Sequence, residues 1–349
     1  MLLAALRDMQ WRRRRLVIAI VSTGLVFAMT LVLTGLANGF RVEAQRTVDS
    51  MGVDAFVVKA GAAGPFLGST PFSQVDMARV AAEPGVVAAA PLATAPATIT
   101  EGTSSRNATA FGAPAHGPGM PQVSEGQVPT LPGEVAVSST LGKHVGEELQ
   151  VGARKLQIVG IVPNATALAK APCLFLTTEG LQQLAYNGQP MITSIGIIGT
   201  PRQLPDGYQA VDRTAGVNDL LRPLKVAVGA ISIVALLLWI VAVLIVGSLV
   251  YLSALERLRA FAVFKAIGVP TRSILAGLAL QAVVVALLAA VLGVLLAQLL
   301  SPVFPMIVVV PVRAYFALPG IAIAIGLLAS VAGLRRAVAV DPALAFGGP

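Results

Sequence analysis

The chain has 349 residues, of which 56% are hydrophobic and only 12% charged, and its mean hydropathy is +0.80. Soluble domains carry about 25% charge, so the composition argues against an ordinary soluble enzyme, and its apolar content excludes disorder. The net charge of +8 would point to nucleic acid in a soluble protein but to topology in a membrane protein, and its placement along the chain decides between them.

Residues 1–15 open the chain. Leu2, Leu3, Leu6 and Met9 share one helical face ahead of Arg12, Arg13, Arg14 and Arg15. This reads as an amphipathic helix on the inner leaflet, held by apolar burial and anionic lipid. A nucleic-acid patch is the rival reading of the arginines, and the adjoining apolar run disfavours it. Residues 16–36 carry no charge and match the about 20 residues a helix needs to span a bilayer. We assign transmembrane helix 1 to residues 16–37. The run is too long for the apolar region of a cleaved signal peptide. Phe40, Ala44, Val48 and Met51 then recur at helical spacing, with polar residues between them. They predict an amphipathic stalk continuing the span and ended by Gly52.

Residues 38–222 have the composition of a soluble domain of mixed α/β type. We expect a strand at 53–58, a Gly/Pro loop at 61–71, and a helix at 73–83 capped by Ser73. A strand region follows at 86–100, broken by Pro91 and Pro96, then a long loop at 112–132 and a short strand at 134–137. A hairpin over 148–162 turns at 151–154. Strands at 171–176 and 191–198 flank a helix at 178–186 capped at Thr178. The single cysteine, Cys173, excludes an intramolecular disulfide and reads as a small apolar filler. His116 and His144 lack partners at metal-binding spacing.

Three further stretches lack charge: residues 226–255, 273–312 and 314–334. We read transmembrane helix 2 at 223–254, helix 3 at 273–300 and helix 4 at 314–334. Residues 301–313, with three prolines and the run Ile307-Val308-Val309-Val310, form an outer loop. The fold class is an integral membrane α-helical protein of four transmembrane helices, with a large mixed α/β extracytoplasmic domain between helices 1 and 2. The whole +8 lies in the N-terminal tail, the 255–272 loop and the 335–349 tail, whereas residues 38–222 hold 12 basic and 14 acidic residues. By the positive-inside rule both termini are cytoplasmic and the chain is a multi-pass protein of the cytoplasmic membrane.

Apart from Lys225 at the outer end of the second, no span holds a charge, which disfavours an ion or proton path. The glycine-rich run Gly61 to Thr70 lacks the lysine of a phosphate-binding P-loop, and neither GxSxG nor HExxH occurs. We therefore assign no catalytic, cofactor-binding or metal residue, and expect no enzyme activity. A nucleic-acid partner is not expected. The 255–272 loop holds Phe261, Phe264 and Ile267 among Arg257, Arg259 and Lys265. It reads either as a charged linker whose aromatics sit in the inner leaflet or as a short helix that docks in a partner's groove.

This loop resembles the signature of MacB/FtsX-type ABC permeases (the type VII, mechanotransmission class), E-R-x-x-E-x-x-x-x-[KR]-A-x-G. Glu256, Arg257, Lys265, Ala266 and Gly268 match, while Ala260 departs where the family often has a second Glu. The tail Arg335-Arg336-Ala337 through Asp341-Pro342-Ala343-Leu344 and the stretch Gly133-Glu134-Val135-Ala136-Val137 are also similar to that family. The basic start and first span resemble a branch that includes DevC-like exporter subunits. The resemblance implies a homodimeric permease bound to two copies of a separate ABC ATPase that holds the ATP, with membrane lipids around it and no cofactor of its own. Glu256, Arg257, Arg259, Phe261, Phe264, Lys265, Ala266, Ile267 and Gly268 would form the ATPase-coupling helix, and Phe40, Ala44, Val48 and Met51 the stalk. The implied function is export or extraction of a hydrophobic or amphiphilic substrate. The alternatives are signalling to a cell-wall hydrolase or sensor without transport, and uptake of a small polar solute such as an amino acid.

Overall fold

The computed structural model describes residues 13–167, 169–256, 263, 267 and 270–338. The expected N-terminal amphipathic helix lies outside the described residues, as do most of the 257–269 loop and the C-terminal tail. The chain divides into two compact units, Gly39–Val226 and the remainder, Met1–Asn38 with Ala227–Pro349.

The first helix, α1 (Arg13–Ser50), is unbroken where the expected span ends and the expected stalk begins. No proline interrupts it, and Gly52, at φ 62°, supplies the left-handed residue just beyond its end. The α/β domain follows. Its first elements are β1 (Ala55–Lys59), β2 (Phe72–Ser73), a 3-10 turn Gln74–Asp76 and a one-turn α2 (Met77–Ala81). Ser73 caps as expected, its hydroxyl accepting from Val75 N–H at 3.4 Å, but the expected helix 73–83 is shorter and starts as 3-10.

Next come β3 (Val86–Glu101), β4 (Ser104–Ala113), β5 (Glu125–Gly126), β6 (Glu134–Ser138), β7 (Glu148–Val151) and β8 (Arg154–Val162). The expected break at Pro91 and Pro96 is not there: β3 is continuous. Its first part pairs with a strand on one side only, at Pro91↔Ile195. Its second part pairs with β4, at Pro96↔Thr109. Each proline therefore sits where one edge of the strand is open, the position at which sheets accept proline. The hairpin is as expected, with Val151 opposite Arg154 and Gly152 at φ 57° in the two-residue turn.

The domain closes with β9 (Thr166–Ala167), β10 (Ala171–Thr177), α3 (Thr178–Ala185), β11 (Met191–Ile192), β12 (Ser194–Gly199), β13 (Tyr208–Asp212) and α4 (Arg213–Leu220). The cap of α3 is Thr177, one residue before the expected Thr178, and it accepts from Gly180 N–H at 3.0 Å. The main sheet runs β13-β1-β12-β3-β4-β10-β6-β8-β5, with β3 the strand shared by its two halves. Most pairs are antiparallel. The exceptions are β10 with β4 and β6 with β8.

The remaining unit adds α5 (Lys225–Leu255), α6 (Thr271–Leu300) and α7 (Val312–Val338). Leu16–Ser50, Arg222–Leu252 and Ala276–Val303 are helical stretches long and apolar enough to cross a membrane. The fourth expected span, 314–334, falls within α7, which carries Pro319 inside it; its apolar run is Val312–Leu328 among the described residues. The buried interior of this unit is alanine-rich (Ala242, Ala282, Ala286, Ala289, Ala290, Ala297), around Phe27 and Leu31. Small side chains let helix backbones approach closely, which replaces the hydrophobic drive that lipid does not supply. At Gly293 a Cβ would come within 2.7 Å of Phe27 Cβ. The expected loop after α6 docks by its β-branched run: Asn38 Nδ2 donates to Val309 O at 2.8 Å, and Val309 N–H donates to Gly35 O at 3.0 Å.

Candidate functional site: the helical base of the α/β domain

Two helical segments bound the α/β domain, the end of α1 and α4. Both are built into its core. Phe40, Ala44, Val48 and Met51 are all buried. Ala44, Val48 and Met51 join Phe56, Phe66 and Phe111 in one cluster, and the same cluster takes Val217 and Leu220 from α4. The expected stalk is thus a core element of the domain along its inner face. The reason is in its spacing: positions 44, 48 and 51 fall on one side of a helix, and the strands present a matching apolar floor. The centre is aromatic. Phe66 meets Phe56 edge-on at 5.1 Å between ring centroids and Phe111 at 5.8 Å, an arrangement that adds to simple burial.

Two buried carboxylates fix loops onto these helices. Glu43, on α1, accepts from Lys170 N–H at 2.7 Å. One turn on, Thr47 Oγ1 donates to Thr166 O at 2.8 Å. The loop they hold contains Ala169 and Lys170 in left-handed backbone, at φ 66° and 65°, a conformation unfavourable for side-chain-bearing residues. Asp219, on α4, is 2% exposed and accepts from Phe66 N–H at 2.7 Å and Gly68 N–H at 2.8 Å. Here the Gly/Pro loop finds its purpose. A Cβ at Gly64 would lie 2.2 Å from Asp219 Cγ, so only glycine lets the loop close over that carboxylate.

Sequence reasoning missed β4, β13 and α4. The signal for α4 was present: Asp212 is an N-cap whose side chain accepts from Ala215 N–H at 2.8 Å, and Val217, Leu220 and Leu221 follow at helical spacing. Asp219 had no such signal, because its partners are backbone N–H groups more than 150 residues earlier in the chain.

Between α1 and α4 lies a mainly polar cleft of about 520 Å3, lined by Arg41, Gln45 and Asp49 on one side and Arg213, Thr214, Val217 and Asn218 on the other. Arg213 Nη1 stands 3.8 Å from Asp49 Oδ1, with both side chains half exposed. Such a pair contributes little to stability.

Other sequence-singled residues lie elsewhere. Cys173 is wholly buried, and its thiol is pushed far above the usual range by burial and then by the Glu43 charge. His116 and His144 are exposed. Burial works against the Glu134 carboxylate, yet N–H bonds from Thr130 at 2.7 Å and Leu131 at 3.0 Å outweigh it and hold its pKa below the ordinary 4.5. Of the coupling-loop residues, Glu256 follows α5 with its N–H on Leu252 O at 3.1 Å, and Ile267 N–H donates to Val263 O at 3.0 Å. Ile267 is 74% exposed. Arg257, Arg259, Phe261, Phe264, Lys265, Ala266 and Gly268 lie outside the described residues.

Comparison with known proteins places this architecture. Residues 232–342 match the family described as FtsX-like permease C-terminal. Along its full length the chain is 79% identical to an ABC transporter permease of Mycobacterium bovis, with all of both chains covered. It is 76% identical, again over the whole of both chains, to an ABC transporter permease of Mycobacterium tuberculosis. Among solved structures it is similar to the extracellular domain of the noncanonic ABC-type transporter YknZ from Gram-positive bacteria, at 12% identity and TM-score 0.33, covering 46% of this chain and 99% of that one. It is also similar to the periplasmic region of MacB from Actinobacillus actinomycetemcomitans, at 13% identity and TM-score 0.33, covering 51% and 86%. The full-length identity to these permeases shows that the chain belongs to the FtsX-like family of ABC transporter permeases.

Proposed function

We propose that the chain is the membrane subunit of a mechanically coupled ABC transporter that exports or extracts a hydrophobic or amphiphilic substrate. It works as a homodimer with two copies of a separate ATPase, which binds and hydrolyses the ATP. Both termini and the 255–272 loop face the cytoplasm, and the α/β domain lies outside the cytoplasmic membrane. Phe261, Phe264 and Ile267 seat the loop on the ATPase, and Glu256, Arg257, Arg259, Lys265, Ala266 and Gly268 shape and orient it.

One observation carries the reading. The two helical segments that bound the α/β domain share a single buried cluster, with Val48 from α1 and Leu220 from α4 both in it. A movement delivered along either helix therefore reaches the same core. The uncharged runs within the spans support it too, since they offer no charged side-chain path for a polar solute or ion.

The test is co-purification of the full chain with an ATPase bearing a P-loop, followed by transport of a labelled lipid in vesicles. Phe264→Asp should abolish the association and the transport together. Normal association of that variant with the ATPase contradicts the coupling assignment. ATP hydrolysis by an intact complex that moves no amphiphile contradicts the export reading.

A further inference from the structure

The cleft between α1 and α4 has features of a ligand site that the coupling reading does not use. Its size falls within the about 300–1,000 Å3 range of small-molecule sites, at about 520 Å3. Its lining supplies two guanidinium groups (Arg41, Arg213), two carboxamides (Gln45, Asn218) and a hydroxyl (Thr214) against one carboxylate, Asp49. Asp49 is already shared with Arg213. Among the described residues, Arg41 has no carboxylate within ion-pair distance. The balance of charge is positive and the donors outnumber the acceptors. Guanidinium forks match phosphate oxygens in geometry as well as charge.

The place of the cleft in the chain narrows the ligand. Arg41 is the first charged residue after the uncharged run that starts at residue 16. Eight residues separate Arg41 from Asp49 on one unbroken helix, so at 1.5 Å per residue the α1 wall rises about 12 Å from the end of the apolar run. Each headgroup layer of a bilayer is about 5–8 Å deep. The wall therefore starts at the depth of lipid headgroups and continues past them.

We propose that this cleft binds the phosphate-bearing headgroup of an amphiphile, with Arg41 and Arg213 gripping the phosphate. Gln45, Thr214 and Asn218 donate to its ester and hydroxyl oxygens, and Asp49 accepts from a headgroup hydroxyl or amine. The inference rests on the reading that the chain moves amphiphiles, and it names the chemistry they share.

The test uses the full chain alone, in nanodiscs of phosphatidylcholine doped with phosphatidylglycerol. Retained lipid is counted by native mass spectrometry. Wild type should retain phosphatidylglycerol over phosphatidylcholine. Arg41→Gln and Arg213→Gln should each reduce that preference about tenfold, as expected for loss of a charged hydrogen bond. Arg46→Gln, on the same helix but outside the cleft, should not. Retention of Cys173 in a maleimide-protected state shows that each variant is folded. Inorganic phosphate at millimolar concentration distinguishes the sources: failure to displace the lipid assigns the headgroup, and displacement assigns the same chemistry to a soluble phosphate ester. Unchanged preference in both Arg41→Gln and Arg213→Gln, or an equal loss in Arg46→Gln, overturns the proposal. No ATPase is present, so its failure is separate from failure of the coupling reading.

Discussion

The helical unit and the base of the α/β domain solve the packing problem in opposite ways. The helical unit is held by alanines and glycines. Its closest approaches set a glycine against a neighbouring helix, Gly293 on Phe27 and Gly326 on Val283. The base is held by large aromatics and by two buried carboxylates on backbone N–H groups. Contacts between small residues are non-directional and tolerate sliding of one helix on another. Charge-assisted bonds to fixed N–H groups do not. Under the proposed mechanical function, this contrast would let motion enter through helices that shift against one another and pass through the base as one piece.

The contrast can be broken from the base side first. Phe66→Ala should give the largest effect, about 3–5 kcal/mol, because Phe66 is buried and meets two other rings. Maleimide labelling of Cys173 in the detergent-purified chain, under rising denaturant, reads this directly, since the thiol is inaccessible while the core is closed. Asp219→Ala leaves the N–H groups of Phe66 and Gly68 without their acceptor and should cost about 3 kcal/mol by the same assay. Asp219→Asn keeps an acceptor and should recover part of the loss.

The helical side gives a smaller effect. Gly293→Ala puts a methyl against Phe27 and should cost about 1–3 kcal/mol through overpacking. Fluorescence of Trp239, whose ring lies 5.5 Å from that of Phe27, should change in a Trp11→Phe background, while Cys173 labelling stays as in wild type. Loss of Cys173 protection in this variant would erase the distinction between the two regions. The smallest effect is one of pH. Because the Glu134 carboxyl is held below 4.5 in the folded chain, its stabilisation is complete above that value and is lost as the pH falls through the lowered one. Glu134→Gln should therefore be slightly less stable at neutral pH and should flatten the acid limb of a Cys173-labelling profile.

Much of this contrast was legible in the sequence. Uncharged runs mark α1, α5 and α6, because a buried or lipid-facing helix cannot carry unpaired charge. The 44, 48, 51 spacing marks the buried face of the α1 extension. What the sequence hides is what that face meets. The partner of Asp219 is a glycine loop over 150 residues away, and side-chain-to-backbone bonds at that separation leave no periodicity to read. β4 was missed for a related reason. Its Ala- and Gly-containing stretch Ala108–Ala113 is apolar but not alternating, since it is buried along its inner half between β3 and β10. Pro91 and Pro96 misled in the other direction, because a proline's effect on a strand depends on which edge is paired, a tertiary property.

The proposed function requires that the base carry motion as a rigid piece. It is tested most directly by spin-label distances in the full chain bound to its ATPase. Labels at Arg46→Cys on α1 and Glu179→Cys on α3, in a Cys173→Ala background, report within one copy, and Arg46→Cys alone reports between the two copies of the proposed homodimer. On addition of ATP the account predicts an unchanged distance within the copy and a shifted distance between copies. A shift within the copy, with none between copies, would contradict it.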